Sequence, residues 1–91
     1  MSAGKTITAV VPSLRVDVLG ARAFGVSRSY FAKGIASGSV SCNGVVVGKS
    51  ASAEVGQTFA ANTLGTFFVA SVDGETRRGN VKVTLHVTRE P

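Results

Sequence analysis

The 91-residue chain has one cysteine, one histidine, two prolines and no tryptophan. A lone cysteine cannot form an internal disulfide, and Cys42 together with His86 cannot supply the four ligands of a structural zinc site. The sequence also lacks the run of about 18 apolar residues that crosses a membrane, and residues 1–5 lack the order of a signal peptide. We therefore expect a cytoplasmic protein without a disulfide, a metal or a membrane partner.

Acidic residues are also scarce: only five are present, and they are scattered along the chain. Acid–base catalysis usually needs converging carboxylates or histidines, and nucleophilic catalysis needs a base beside the nucleophile. No glycine-rich stretch follows a strand and opens a helix, which argues against a nucleotide cofactor. So short a chain leaves no room for a deep substrate cavity. We therefore predict no catalytic residue, no cofactor and no small-molecule substrate.

Ten lysines and arginines give the chain a formal net charge of +5, which favours an anionic partner such as nucleic acid. Within residues 1–50 the only acid is Asp17, so the positive excess is concentrated there. Arg28 is predicted in the first turn of a helix, where the helix dipole already favours a phosphate. The basic residues that we consider as candidate contacts in this half are Arg15, Arg22, Arg28, Lys33 and Lys49.

Two short helices are predicted in the first half of the chain. Apolar residues recur at helical spacing over 14–24, and Gly25 suits a helix C-terminus. Ser27 suits the N-cap of a second helix over 28–37, which ends at Gly38. The two helices should therefore form a hairpin with a tight corner.

The helical period also predicts which side chains share a face. Phe31 and Ile35 should turn inward, and Gly34 is predicted to permit close packing of the helices. Arg15 and Arg22 lie seven residues apart, so they should project from one face of the first helix.

Elsewhere the hydrophobic pattern has a period of two, which is typical of strands. Residues 6–11 are predicted as a short edge strand, and Asn43-Gly44 is the strongest short hairpin signal in the chain. Residues 73–79 are predicted as a charged loop. The other strands are predicted over 39–42, 45–47, 58–60, 66–72 and 81–87.

An ordered set of residues between 14 and 60 resembles the S-four RNA-binding domain, a module named for a small-subunit ribosomal protein. Asp17 fits its R-x-D start, and Asn43-Gly44 fits its V-x-V-N-G hairpin. Residues 64–68 and 74–83 look like the C-terminal part of YlmH-like proteins and their photosynthetic relatives. The first resemblance is carried by Leu14, Arg15, Val16, Asp17, Leu19, Arg22, Phe24, Gly25, Val26, Ser27, Arg28, Ser29, Ile35, Gly38, Val40, Asn43, Gly44, Val55, Gly56 and Gln57.

The resemblance implies an α+β fold in which a helical hairpin packs on a small, strongly bent antiparallel sheet. It divides the chain into an N-terminal lead over 1–13, an RNA-binding core over 14–62 and a β-hairpin extension over 63–91. The subfamily points to the ribosome, in particular the large subunit with its bound transfer RNA. The RNA contacts that it implies are Arg15, Arg22, Arg28, Ser29 and Lys33 on the helices and Asn43 and Gly44 on the hairpin, with Lys49 nearby on the charge pattern.

Three hypotheses for function remain open from the sequence. The first is a non-enzymatic module that binds structured RNA, either ribosomal RNA or ribosome-bound transfer RNA. The second is a protein-interaction module that adds a partner strand to a sheet edge or to the Phe67-Phe68 strand. The third is the RNA-delivery domain of a larger RNA-modifying enzyme, whose chemistry would reside in a separate domain.

Overall fold

The computed structural model describes residues 4–48, 50–62, 64–76 and 78–89. Over these residues the chain folds as an α+β domain in which every strand belongs to one antiparallel sheet, as the sequence predicts. The sheet has the strand order β1-β6-β5-β4-β2-β3. The elements in chain order are β1 (Gly4–Val11), α1 (Val16–Phe24), α2 (Arg28–Ala36), β2 (Val40–Cys42), β3 (Val45–Val46), β4 (Thr58–Ala61), β5 (Gly65–Glu75) and β6 (Val81–Arg89).

The corner between the helices is built as predicted. Gly25 takes a left-handed conformation (φ 67°), and the N–H of Val26 donates to the carbonyl of Ala21. Ser27 then caps α2, because its hydroxyl accepts the N–H of Tyr30 at 3.0 Å. The chain thereby turns between the two helices within three residues, Gly25, Val26 and the cap Ser27.

The first helix begins at Val16 rather than at Leu14. Arg15 has extended backbone angles (φ −66°, ψ 140°), and it forms an isolated antiparallel bridge with Ser52. The N–H of Val16 donates to the carbonyl of Ala51 at 3.0 Å. This tertiary pairing with a later loop competes with the helix at its first turn, and the helical periodicity alone does not reveal it.

The core lies between the helical hairpin and one face of the sheet. Phe67 is fully buried, and its ring lies 5.1 Å from Phe59, 6.1 Å from Phe24 and 6.5 Å from Phe31, measured between centroids. Burial of each such side chain stabilises the fold by about 1.5–3 kcal/mol. The four rings therefore join both helices to β4 and β5.

Gly20, rather than Gly34, is the residue that lets the helices approach. A Cβ at Gly20 would lie 2.2 Å from the Phe31 ring, whereas a Cβ at Gly34 would meet only a Val40 methyl at 4.0 Å. The prediction for Gly34 is wrong, because the ring that crosses the interface projects from α2 onto α1 and not the reverse.

The predicted charged loop over 73–79 is also wrong in its first part. Strand β5 continues through Glu75, which pairs with Val81, and register shifts occur between Val69 and Ser71 and between Val72 and Gly74. Such bulges accommodate an extra residue in a strand without ending the pairing. The hairpin loop is therefore shorter than predicted, and Arg77 lies outside the described residues.

Strand β5 lies inside the sheet, paired with β4 on one side and β6 on the other. The idea that the Phe67-Phe68 strand recruits a partner by strand addition is therefore wrong, because its backbone groups already have partners. Phe67 faces the core and Phe68 the opposite face, where its ring stacks on His86. The sheet edges are β1 and β3.

Candidate nucleic-acid interface

A buried carboxylate organises the basic residues at the start of the two helices. Asp17 is 5% exposed and lies in the first turn of α1, where its Oδ1 accepts the N–H of Val18 at 2.8 Å. Arg15 donates to the same oxygen from Nε at 3.2 Å, and Arg28 donates from Nε to Oδ2 at 3.3 Å. Asp17 therefore holds together two arginines that a whole helix separates in the sequence.

The two arginines keep contact with solvent. The side chain of Arg15 is 42% exposed and that of Arg28 is 54% exposed, whereas the side chain of Asp17 is 6% exposed. Among the described residues, these two guanidinium groups share the one carboxylate of Asp17, which carries a single negative charge. The carboxylate positions the arginines and neutralises only part of their charge.

An open groove of about 420 Å³ lies beside this cluster, and we call it the helical groove. Its polar lining includes Arg15, Asp17, Ser29 and Lys33. Lys33 is exposed to solvent. The structure thus brings together three of the residues predicted to contact RNA. Ala32, Ile35 and Ala36 form the apolar part of the lining.

Arg22 lies in a different groove from Arg15. It lines the middle groove, a shallow depression of about 290 Å³, together with Arg28, Val18 and Val26. Because Arg15 precedes the helix and has an extended backbone, the seven-residue helical spacing does not place the two arginines on one face. Arg28 connects the two grooves, since it lines the middle groove and pairs with Asp17 of the helical groove.

The β2–β3 hairpin presents its turn to solvent. Asn43 (φ 52°) and Gly44 (φ 83°) both have positive φ, which matches the tight hairpin turn predicted from their identities. Both are exposed, and neither lines the helical or the middle groove. Val45 beside them is 70% exposed. Lys49 lies outside the described residues.

Sequence reasoning missed a third basic groove, which we call the strand groove. Lys5 of β1, Arg22 of α1 and Arg89 of β6 line this space of about 300 Å³. Side chains alternate between the two faces of the sheet along β6, and this alternation continues from Val87 to Arg89. It could therefore have indicated that Arg89 lies on the helix side of the sheet. The position of Lys5 depends on its pairing with Val87, which no local pattern specifies.

The remaining chemically reactive side chains lie in strands. The Nδ1 of His86 is 2.7 Å from the hydroxyl oxygen of Thr6, and Cys42 is half-buried in β2. Within the described residues no three histidine, cysteine, aspartate or glutamate side chains cluster to hold a metal ion. In the same part of the chain, no helix is long and apolar enough to cross a membrane.

The sequence matches no protein-family model and no curated protein. The basic surface that these residues form is therefore the observation that bears on function.

Proposed function

We propose that this domain is a non-enzymatic, S-four-type module that binds structured RNA through the surface of its helical hairpin. The observation that supports this most directly is the Asp17 cluster. A buried acid that fixes Arg15 and Arg28 at the edge of a groove containing Lys33 displays cationic groups in a defined arrangement.

The shape and charge of this surface favour recognition of the RNA backbone. An A-form helix has a deep, narrow major groove that side chains do not read, so a protein meets mostly phosphates and 2′-hydroxyl groups. Arginine binds phosphate well because its guanidinium can donate two parallel hydrogen bonds to the phosphate oxygens. Arg28 and Ser29 also lie in the first turn of α2, where the helix dipole favours negative charge. The helical groove is open and therefore suits a backbone that lies across it.

The RNA that we propose is ribosomal RNA, or transfer RNA bound to the ribosome, with the large subunit as the assembly. This part of the proposal follows from the likeness to YlmH-like proteins. The basic cluster supports an RNA partner without identifying which RNA it is.

The test is RNA binding by a variant that lacks two cations of the helical surface. Arg28→Ala/Lys33→Ala should bind a structured ribosomal RNA fragment more weakly than the parent, and its slope of log affinity against log salt should be shallower by about 2. Fluorescence anisotropy over a salt series measures both quantities. Thermal unfolding should remain cooperative in the variant.

The matched control removes the same charge elsewhere. Arg78 and Lys82 are exposed in the β5–β6 hairpin, and neither lines the three grooves. Arg78→Ala/Lys82→Ala should therefore bind RNA nearly as the parent does. Equal affinity of the parent and the Arg28→Ala/Lys33→Ala variant would contradict the proposed site.

A protein-interaction module is the second candidate, and the β3 edge supports it. Val45 and Val46 are 70% and 59% exposed on an edge strand. An apolar partner on this edge would persist at high salt, whereas RNA would dissociate. A complex of the purified domain with a defined partner that survives about 1 M salt would favour this candidate, since screening is nearly complete there.

A further inference from the structure

We propose that the strand groove is a second phosphate-binding surface, and that the RNA backbone extends across it from the helical groove. This inference rests on the proposed function and adds Lys5 and Arg89 to the interface. Both residues lie outside the segment 14–60 that carries the resemblance to the S-four domain.

The strand groove brings together three cations from distant parts of the chain. Lys5 and Arg89 come from neighbouring strands near opposite ends of the sequence, and Arg22 comes from the last turn of α1. Among the described residues that line the groove, none is acidic. Three like charges around one open space repel one another in the absence of an anion, so the groove should favour a phosphate electrostatically.

The arginines of this groove are held by neutral groups. Nη2 of Arg89 donates to the carbonyl of Phe24 at 2.8 Å, and Nη2 of Arg22 lies 3.5 Å from the carbonyl of Val10. Within the described part of the chain, the ion pairs of Asp17 involve Arg15 and Arg28, and none involves Lys5, Arg22 or Arg89. A backbone carbonyl orients a guanidinium without cancelling its net charge, so among the described residues these cations have no acidic partner and can attract an anion.

Two arginines link the three grooves into one surface. Arg22 lines both the strand groove and the middle groove, and Arg28 lines the middle groove while pairing with Asp17 of the helical groove. Phosphates recur at regular intervals along an RNA strand, so a row of cationic grooves suits a polymer better than a single small anion. This continuity is the reason that we propose the RNA backbone as the occupant.

The experiment compares variants of the full chain with an RNA duplex of about 16 base pairs, a length that small double-strand-binding domains cover. Lys5→Ala/Arg89→Gln removes two charges from the strand groove, and glutamine retains part of the aliphatic stem and a polar amide at its end. The slope of log affinity against log salt should be shallower by about 2 than that of the parent. Lys5→Ala alone should reduce the slope by about 1.

Arg78→Ala/Lys82→Ala is again the charge-matched control, and it should retain the parent slope. Thermal unfolding of each variant checks that the fold persists, and Lys5→Ala keeps the test decisive if the change at Arg89 prevents folding. Competition with inorganic phosphate distinguishes a site for a single small anion from a contact with the RNA backbone. Competition only at concentrations far above those of the RNA phosphates supports a polymer contact.

The outcomes distinguish this inference from the proposed function. If Arg28→Ala/Lys33→Ala weakens binding while Lys5→Ala/Arg89→Gln behaves as the parent, the strand groove is not part of the interface and the proposed function stands. If the parent does not bind the RNA at all, the proposed function is wrong and the inference falls with it. A loss of slope in both double variants, with none in the control, supports the continuous surface.

Discussion

Asp17 contributes to the proposed interface by positioning two arginines. Its carboxylate is buried and accepts hydrogen bonds from Arg15, Arg28 and the N–H of Val18, and both of those arginines lie at the proposed interface. The R-x-D pattern indicated that this acid belongs to the motif. The sequence did not show that the second arginine comes from the next helix, because that contact depends on the angle between α1 and α2.

Gly20 provides a test of helix packing at the level of one residue. Gly20→Ala should destabilise the domain by about 1–2 kcal/mol, because the new Cβ would lie 2.2 Å from the Phe31 ring and overpacking typically costs about 1–3 kcal/mol. This cost should exceed the gain of about 1 kcal/mol in helix propensity. Urea unfolding followed by circular dichroism measures the difference.

The control for this prediction is Gly34→Ala in the other helix. A Cβ there would make only an ordinary contact with Val40 at 4.0 Å, so the propensity gain should dominate and stability should rise by about 0.5–1 kcal/mol. Destabilisation by both substitutions, or by neither, would show that the close approach of the helices at Gly20 is not as described.

At the scale of elements, the sequence predicted the helix ends and the tight turn, because these features depend on residues that are adjacent in the chain. The N-cap at Ser27, the left-handed Gly38 just after α2 and the turn at Asn43-Gly44 were predictable because each depends on a few adjacent residues. The extension of β5 through Asp73 was not, because a polar run in a bulged strand resembles a loop. The carboxylate of Asp73 accepts a hydrogen bond from Thr84 of the neighbouring strand β6, and a local pattern does not reveal this partner.

The hydrogen bonds of Asp73 predict a pH dependence of stability. The hydroxyl of Thr84 donates to its carboxylate at 2.8 Å, and together with the weaker bond from Ser71 it lowers the pKa of Asp73 below the usual 3.8. A carboxyl whose pKa is lower in the folded state stabilises the fold above its unfolded pKa, and this contribution is lost as the pH falls through the folded value. Thr84→Val should therefore lower the urea midpoint at neutral pH.

The difference between Thr84→Val and the parent should shrink below the folded pKa of Asp73, where the carboxyl is protonated in both states. Carboxyl NMR titration should also show a higher pKa for Asp73 in the variant than in the parent. Thr8→Val is a suitable control, since Thr8 pairs with Thr84 across the β1–β6 ladder. A constant gap between Thr84→Val and the parent at every pH would mean that packing, and not the charge of Asp73, accounts for the effect.

At the scale of the whole molecule, the basic surface is assembled from both ends of the chain. The charge count indicated that the first half holds the positive excess, and the motif indicated which helix residues to consider. Arg89 was not predicted as a contact because its neighbours in space come from distant segments. Phe24 approaches it through the packing of α1 on the sheet, and Lys5 approaches it through the antiparallel pairing of β1 with β6. The alternation along β6 indicates the face on which Arg89 lies, but no local pattern in either segment indicates that Lys5 lies beside it.

The same long-range packing predicts that the segment 14–62 does not fold alone. Phe24, Phe31 and Phe59 all pack on Phe67, which lies in β5, and the sheet continues through β6 to β1. Removal of β5 and β6 would expose these rings to water at a cost of about 1.5–3 kcal/mol for each, a large fraction of the stability of a small domain. A peptide of residues 14–62 should therefore lack a cooperative urea transition, and its NMR signals should be poorly dispersed. The full chain should show a cooperative transition and well-dispersed signals. Cooperative unfolding of the isolated segment would instead mean that the helical hairpin, β2, β3 and β4 contain a sufficient core, and that β5, β6 and β1 only extend it.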